Sequence, residues 1–165
     1  MNFDPVTICR ILNEERVDYV VVGGFASVIL GSPLPTEDID FVPDRDEANL
    51  ERLAKALNRM NAMIRTEAEA VPARIDAAFL ANMPFMLNLV TDFGIIDLTF
   101  KPSGPLGGFQ DWNSDATSEE VADGLFIRVA SLDDIIASKR SANRAKDLRA
   151  LPYLESLRDV LNSDS

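Results

Sequence analysis

The chain has no histidine, a single cysteine and two tyrosines among its 165 residues, and its 27 acidic side chains far outnumber its 16 basic ones. Each shortage excludes something. Without histidine there is no imidazole general base, no Ser-His-Asp triad and no zinc site with imidazole ligands. A lone Cys9 permits no intramolecular disulfide; it lies beside Ile8, Ile11 and Leu12 in a helical pattern, where a small buried hydrophobe is expected. A formal charge of −11 argues against a basic nucleic-acid-binding surface over the whole chain, while leaving room for local basic patches and for phosphate binding through Mg²⁺. The longest apolar stretch, residues 17–31, contains Asp18 and two glycines and is too short to span a bilayer. The start Met1-Asn2-Phe3-Asp4-Pro5 lacks the features of a signal peptide, so a cytoplasmic protein with no membrane partner is expected.

What is present is enough apolar material, 47%, to build one domain over residues 1–165. The pattern predicts a helix over 5–15, a buried strand over 19–22 and a short helix over 25–30 ending at Gly31. A strand over 39–42, closed by Pro43, precedes a helix over 46–58 with its stripe of Leu50, Leu53, Ala54 and Leu57. A short strand over 63–66 and a helix over 74–81 follow, then strands over 85–90 and 95–100 joined by Thr91-Asp92-Phe93-Gly94. Residues 111–121 are polar and carry no clear periodicity. A strand over 125–129, a helix capped by Ser131 and a helix over 145–161 complete an α+β pattern with a mixed sheet.

Three carboxylates carry the chemistry. Asp38 and Asp40 stand at i and i+2 on a strand, so they share one face while Ile39 and Phe41 share the other. Two like charges side by side raise each other's pKa unless a cation lies between them. Divalent ions, two of them about 4 Å apart, are the usual remedy, and Mg²⁺ favours carboxylate plus phosphate oxygens. Asp97, framed by Ile96, Leu98 and Phe100, completes such a site if its strand neighbours that of Asp38; it is then a metal ligand and a candidate base for an acceptor hydroxyl. A calcium loop over residues 38–46 is a poor fit, because Pro43 interrupts it and the central glycine is missing.

Gly23 and Gly24, between a strand and a helix, are suited to let backbone N–H groups approach a triphosphate. The chain has neither G-x-G-x-x-G nor G-K-[ST], which excludes Rossmann and P-loop readings. Near the C-terminus, Leu132, Ile135, Ile136 and Lys139 fall at i, i+3, i+4 and i+7, placing a lysine on an apolar stripe, where it snorkels or meets an anion. Arg140, Arg144, Lys146 and Arg149 form a cationic patch. Asn143 is expected to break the helix and let Asp147 converge on Lys139.

Several stretches together resemble a known group: 20–26 (VVVGGFA), 31–40 (GSPLPTEDID), 92–98 (DFGIIDL), 130–140 (ASLDDIIASKR) and 144–148 (RAKDL). They are similar to the bacterial nucleotidyltransferase-fold proteins related to AbiEii-type abortive-infection toxins, over residues 15–155. The resemblance implies a polymerase-β-like nucleotidyltransferase core with short C-terminal helices. By position it implies metal-binding roles for Asp38 and Asp40, a nucleotide-loop role for Gly24, and later Lys and Asp positions at Lys139 and Asp147. It further implies an NTP donor, an RNA (tRNA 3′-end) or protein acceptor, and a cognate antitoxin in a toxin–antitoxin system. Gly24 stands where many members have serine, and Leu34 where many have arginine; the large C-terminal helical domain of the longer toxins is also missing.

The expected catalytic set is thus Asp38, Asp40, Asp97, Lys139 and Asp147, with Gly23, Gly24, Thr36, Lys139 and Arg144 at the nucleotide and two Mg²⁺ ions on Asp38, Asp40 and Asp97. The expected activity is Mg²⁺-dependent transfer of an NMP from an NTP to a hydroxyl. A catalytically degenerate binding or antitoxin-like protein and a small-molecule nucleotidyltransferase of the aminoglycoside-modifying kind are the alternatives.

Overall fold

A seven-stranded mixed sheet forms the frame of the computed structural model, which describes residues 2–164. The elements in chain order are α1 (Pro5–Glu14), β1 (Tyr19–Val22), α2 (Gly23–Leu30), β2 (Asp38–Pro43), α3 (Glu47–Arg59), β3 (Met63–Ile64) and α4 (Ala77–Ala81). They continue with β4 (Met86–Thr91), β5 (Gly94–Thr99), α5 (Phe109–Ser114), β6 (Thr117–Ala122), β7 (Leu125–Val129), α6 (Leu132–Ala142) and α7 (Ala145–Ser163). The strand order is β3-β4-β5-β2-β1-β7-β6. The α+β architecture with a mixed sheet flanked by helices is the one expected. No helix among the described residues is long and apolar enough to cross a membrane.

Local chemistry explains most boundaries. Asp4 caps α1 by accepting from the Thr7 amide at 3.1 Å, with Pro5 in the first turn where its missing N–H costs nothing. Ser131 caps α6 by accepting from the Asp134 amide at 3.1 Å. Asn143, in the left-handed region at φ 52°, ends α6 as expected.

The structure corrects several boundaries. α2 begins at Gly23, so the Gly-Gly pair is the first turn of the helix rather than a turn ahead of it. The helix expected over 74–81 shrinks to Ala77–Ala81, because Asp76 caps it by accepting from the Phe79 amide at 2.8 Å. The strand expected over 63–66 pairs regularly only through Met63 and Ile64. The unassigned stretch 111–121 falls partly in α5 and partly in β6, an edge strand whose exposed, polar composition hides its pairing with β7.

The core straddles the sheet. Ile39, Phe41, Leu89, Ile96 and Leu98 are fully buried along the central strands, and Ile8, Leu12, Leu53 and Leu57 join them from α1 and α3. Tyr19 packs its ring, tilted by 58°, at 5.2 Å from that of Phe41 and donates its hydroxyl hydrogen bond to Asn13 of α1, which fixes that helix to the Phe41 side. Burying each such side chain stabilises the fold by about 1.5–3 kcal/mol. Cys9 is fully buried there as a free thiol, its pKa pushed up to about 12 by burial. On the side of the carboxylates, α2 packs on β2, α5 touches β1 and β2, and α6 contacts α2 and α7.

Candidate active site

The three carboxylates meet because of strand order. β2 lies between β1 and β5, antiparallel to the first and parallel to the second. The register places Val22 opposite Asp40, Asp40 opposite Asp97, and Asp97 opposite Asn88. Arg65, one residue beyond β3, donates its backbone N–H to the Asn88 carbonyl at 3.0 Å and so extends the row. Side chains in one register row emerge on one face. Asp38, two residues before Asp40, joins them. One carboxylate oxygen from each of Asp38, Asp40 and Asp97 lies within 4.8 Å of the other two.

The electrostatics of this cluster are those of a site short of a cation. Asp40 is pushed up to about 7, first by burial and then by the charges of Asp38 and Asp97, with Lys146 partly offsetting them. Asp97 is also raised, by burial and by Asp38, against the opposing charge and hydrogen bond of Arg65. Arg65 Nη2 sits 3.2 Å from Asp97 Oδ1. Hard oxygen donors at this spacing, with protons held by mutual repulsion, fit a divalent ion such as Mg²⁺.

Gly23 makes the close packing around Asp40 feasible. Its φ is +70°, and a Cβ there would collide with Asp40 Oδ2. α2 then starts without any side-chain cap, leaving its first amides free to meet an anion. Gly24 faces Thr36, whose Oγ1 donates to the Asp38 backbone carbonyl at 3.2 Å. Thr36 thus braces the strand that carries Asp38 and Asp40 from the wall of the cavity it lines.

Helices α6 and α7 bring the cations. Lys139 has a side chain only 15% exposed and lies 3.8 Å from Asp147 Oδ1. Burial lowers its pKa against the raising influence of Asp147 and Asp40. Asp147 is fully buried. It accepts from Arg144 through the backbone N–H at 3.1 Å, Nε at 2.7 Å and Nη2 at 3.3 Å. Desolvation works to raise Asp147, but these bonds and the charges of Arg144 and Lys139 outweigh it and hold the carboxyl below its ordinary value. Asp147 therefore positions Lys139 and Arg144 from beneath. The guanidinium of Arg144, expected at the nucleotide, is engaged with Asp147 while still lining the cavities.

Two cavities meet over the row and share Gly23, Asp40, Lys139, Arg144 and Lys146. The larger, about 790 Å³, takes in Gly24, Thr36, Asp38, Arg149 and Tyr153. The smaller, about 400 Å³, takes in Arg65, Asn88, Asp97, Thr99 and Trp112. All the expected site residues are thus gathered around one cleft. Arg65, Asn88, Trp112 and Tyr153 were not legible in the sequence. For Arg65 the only signal is its place after the short apolar run Met63-Ile64; the other three have none.

Solved structures share this architecture. The lincosamide antibiotic adenylyltransferase LnuA, bound to lincomycin, is similar over 95% of this chain and 99% of its own at 16% identity, with a TM-score of 0.63. ANT(2″)-Ia with adenylyl-2″-tobramycin is similar over 97% and 95%, at 13% identity and a TM-score of 0.57. A Thermotoga maritima protein assigned as a nucleotidyltransferase is similar over 96% and 91%, at 19% identity and a TM-score of 0.52. The chain has the nucleotidyltransferase fold. No protein-family model and no curated protein matches the sequence.

Proposed function

We propose that the protein is a metal-dependent nucleotidyltransferase that moves an NMP from an NTP to a hydroxyl acceptor. The observation that carries this reading is the convergence of Asp38, Asp40 and Asp97 within 4.8 Å of one another beside the uncapped start of α2. Asp38, Asp40 and Asp97 would hold Mg²⁺, two ions in the reading the sequence suggests; when bound, the metal supplies charge stabilisation to the phosphate oxygens and the attacking hydroxyl. Gly23 and Gly24 leave the α2 amides open to the triphosphate, and Lys139, set by Asp147, adds a cation to the same cleft. The acceptor oxygen bonds to the α-phosphorus, the bond to the β-phosphate breaks, pyrophosphate leaves, and Asp97 is the candidate base that receives the hydroxyl proton.

Two acceptor classes stand behind this reaction. The resemblance to AbiEii-type proteins favours the 3′ end of a tRNA or another RNA, or a protein hydroxyl, with a cognate antitoxin as partner. The likeness in length and fold to two antibiotic adenylyltransferases favours a small molecule. The size of the smaller cavity over the carboxylates, about 400 Å³, suits a small molecule.

The test is calorimetric binding of each of the four NTPs, with and without Mg²⁺, to the wild type and to Asp38→Ala/Asp40→Ala. Saturable, Mg²⁺-dependent binding lost in the double variant is expected. Absence of binding by every NTP would instead mark a degenerate nucleotidyltransferase fold that acts as a binding partner.

A further inference from the structure

The two lobes of the cleft differ in what they offer a ligand. The larger holds the α2 N-terminus together with Lys139, Lys146 and Arg149, a setting for a triphosphate. In-line displacement at phosphorus puts the attacking oxygen and the leaving pyrophosphate on opposite sides. With the donor in the larger lobe, the acceptor approaches from the smaller. Resting on the nucleotidyl-transfer reading above, we infer that the smaller lobe takes a small hydroxylated acceptor carrying an anionic group, phosphate or carboxylate.

The carboxylates of this lobe are already engaged. Asp40 and Asp97 belong to the metal-binding cluster. Asp147 is fully buried and bonded by Arg144 and Lys139. No carboxylate lining the lobe remains to pair with an ammonium group, so an aminosugar would enter without a counter-ion.

Donors, by contrast, are in surplus. Arg65 has a side chain 41% exposed and makes one side-chain contact, through Nη2 to Asp97. A guanidinium carries five N–H donors in a fixed fork, so most of it stays available to an oxyanion. Lys146 is shared with the larger lobe; it makes no salt bridge among the described residues, and its charge acts on Asp40. Trp112 lines the smaller lobe, but its unpartnered indole Nε1–H is sealed from the cavity and offers a ligand no donor. Arg65, with Lys146 at the boundary of the two lobes, favours an oxygen-rich anion.

The experiment fills the larger lobe first, with Mg²⁺ and a non-hydrolysable NTP analogue. Four pyranose hexose derivatives are then titrated: glucose 6-phosphate, glucuronate, glucose and glucosamine. At least one anion is expected to bind about tenfold tighter than glucose, with glucosamine weakest. The tighter of the two anions distinguishes phosphate from carboxylate. Arg65→Met should bring the anion-to-neutral ratio close to one, while Arg65→Lys, which keeps the charge, should retain part of it and control for folding. Glucosamine binding as tightly as the anions, or a preference that survives Arg65→Met, overturns the inference. Binding of the NTP analogue is measured separately, and its failure would count against the nucleotidyl-transfer reading alone. The hexoses are then titrated into unloaded protein, where loss of the preference on Arg65→Met still supports the smaller lobe, and loss on Arg149→Met instead places the anion in the larger lobe and overturns it.

Discussion

Gly23 and Asp40 occupy space that only a glycine can share with a carboxylate. Asp40 is the central member of the cluster, flanked in register by Val22 and Asp97, and its Oδ2 fills the position that a Cβ on residue 23 would take. The first member of the Gly-Gly pair therefore seats the central carboxylate of the cluster.

Gly23→Ala should damage the site through this contact. A left-handed φ costs a non-glycine residue about 1–2 kcal/mol before any clash, and the Asp40 carboxylate must also move. Thermal unfolding should show a fall of several degrees, and Mg²⁺-dependent NTP binding should drop at least about tenfold. Gly24→Ala meets only the Thr36 side chain, Oγ1 at 3.1 Å and Cβ at 3.5 Å, and should cost much less on both measurements.

Asp40 sets a pH dependence whose sign is fixed by its direction of shift. Its folded pKa of about 7 stands above the ordinary 3.8, so the metal-free fold binds an extra proton between those values. Stability from this group is present at low pH and is lost as pH rises through about 7. Asp40→Asn should therefore stabilise the metal-free protein at pH 8, by roughly 2–4 kcal/mol, with little effect at pH 4. Urea unfolding at the two pH values measures it; equal effects at both would contradict the assignment.

The same proton competes with metal. Mg²⁺ affinity should fall steadily as pH drops from 8 to 6, with proton release on binding that calorimetry in buffers of different ionisation enthalpy will detect. Asp40→Asn should remove both the pH dependence and most of the binding. Pyrophosphate release from NTP should follow the same pH trend.

Asp147 and Lys139 separate structure from binding. Removing Asp147 leaves Arg144 and the largely buried Lys139 without their shared partner at the α6–α7 junction. Loss of one member of a buried ion pair costs about 3–5 kcal/mol, so Asp147→Ala should lower the unfolding midpoint markedly. Lys139→Met should keep the fold and weaken NTP binding about tenfold or more. A Lys139→Met variant that binds NTP as well as wild type would remove this lysine from the nucleotide site.

Much of this arrangement was legible in the chain itself. Residues 19–22 and 125–129 read as strands because continuous or alternating apolar runs permit little else, and both boundaries agree with the structure. Asp38, Asp40 and Asp97 stood out because each interrupts an apolar strand on the face opposite its buried neighbours. Lys139 stood out because it interrupts an apolar helical stripe. Such signals are local: period two and period 3.6 are written in consecutive residues.

What consecutive residues cannot encode is which strands become neighbours. Only the order β3-β4-β5-β2-β1 brings Arg65, Asn88, Asp97, Asp40 and Val22 into one row. Trp112 and Tyr153 reach the cleft by the same long-range packing, the first from a stretch with no readable period and the second from the exposed side of α7. The sequence by itself determined most of the elements, though not α5 and β6, and the three acidic positions, because backbone sterics and side-chain alternation act over a few residues. The tertiary structure decided the partners of those acids, the buried role of Asp147 and the cationic character of the smaller lobe, because those depend on contacts between segments that only strand pairing and helix packing bring together.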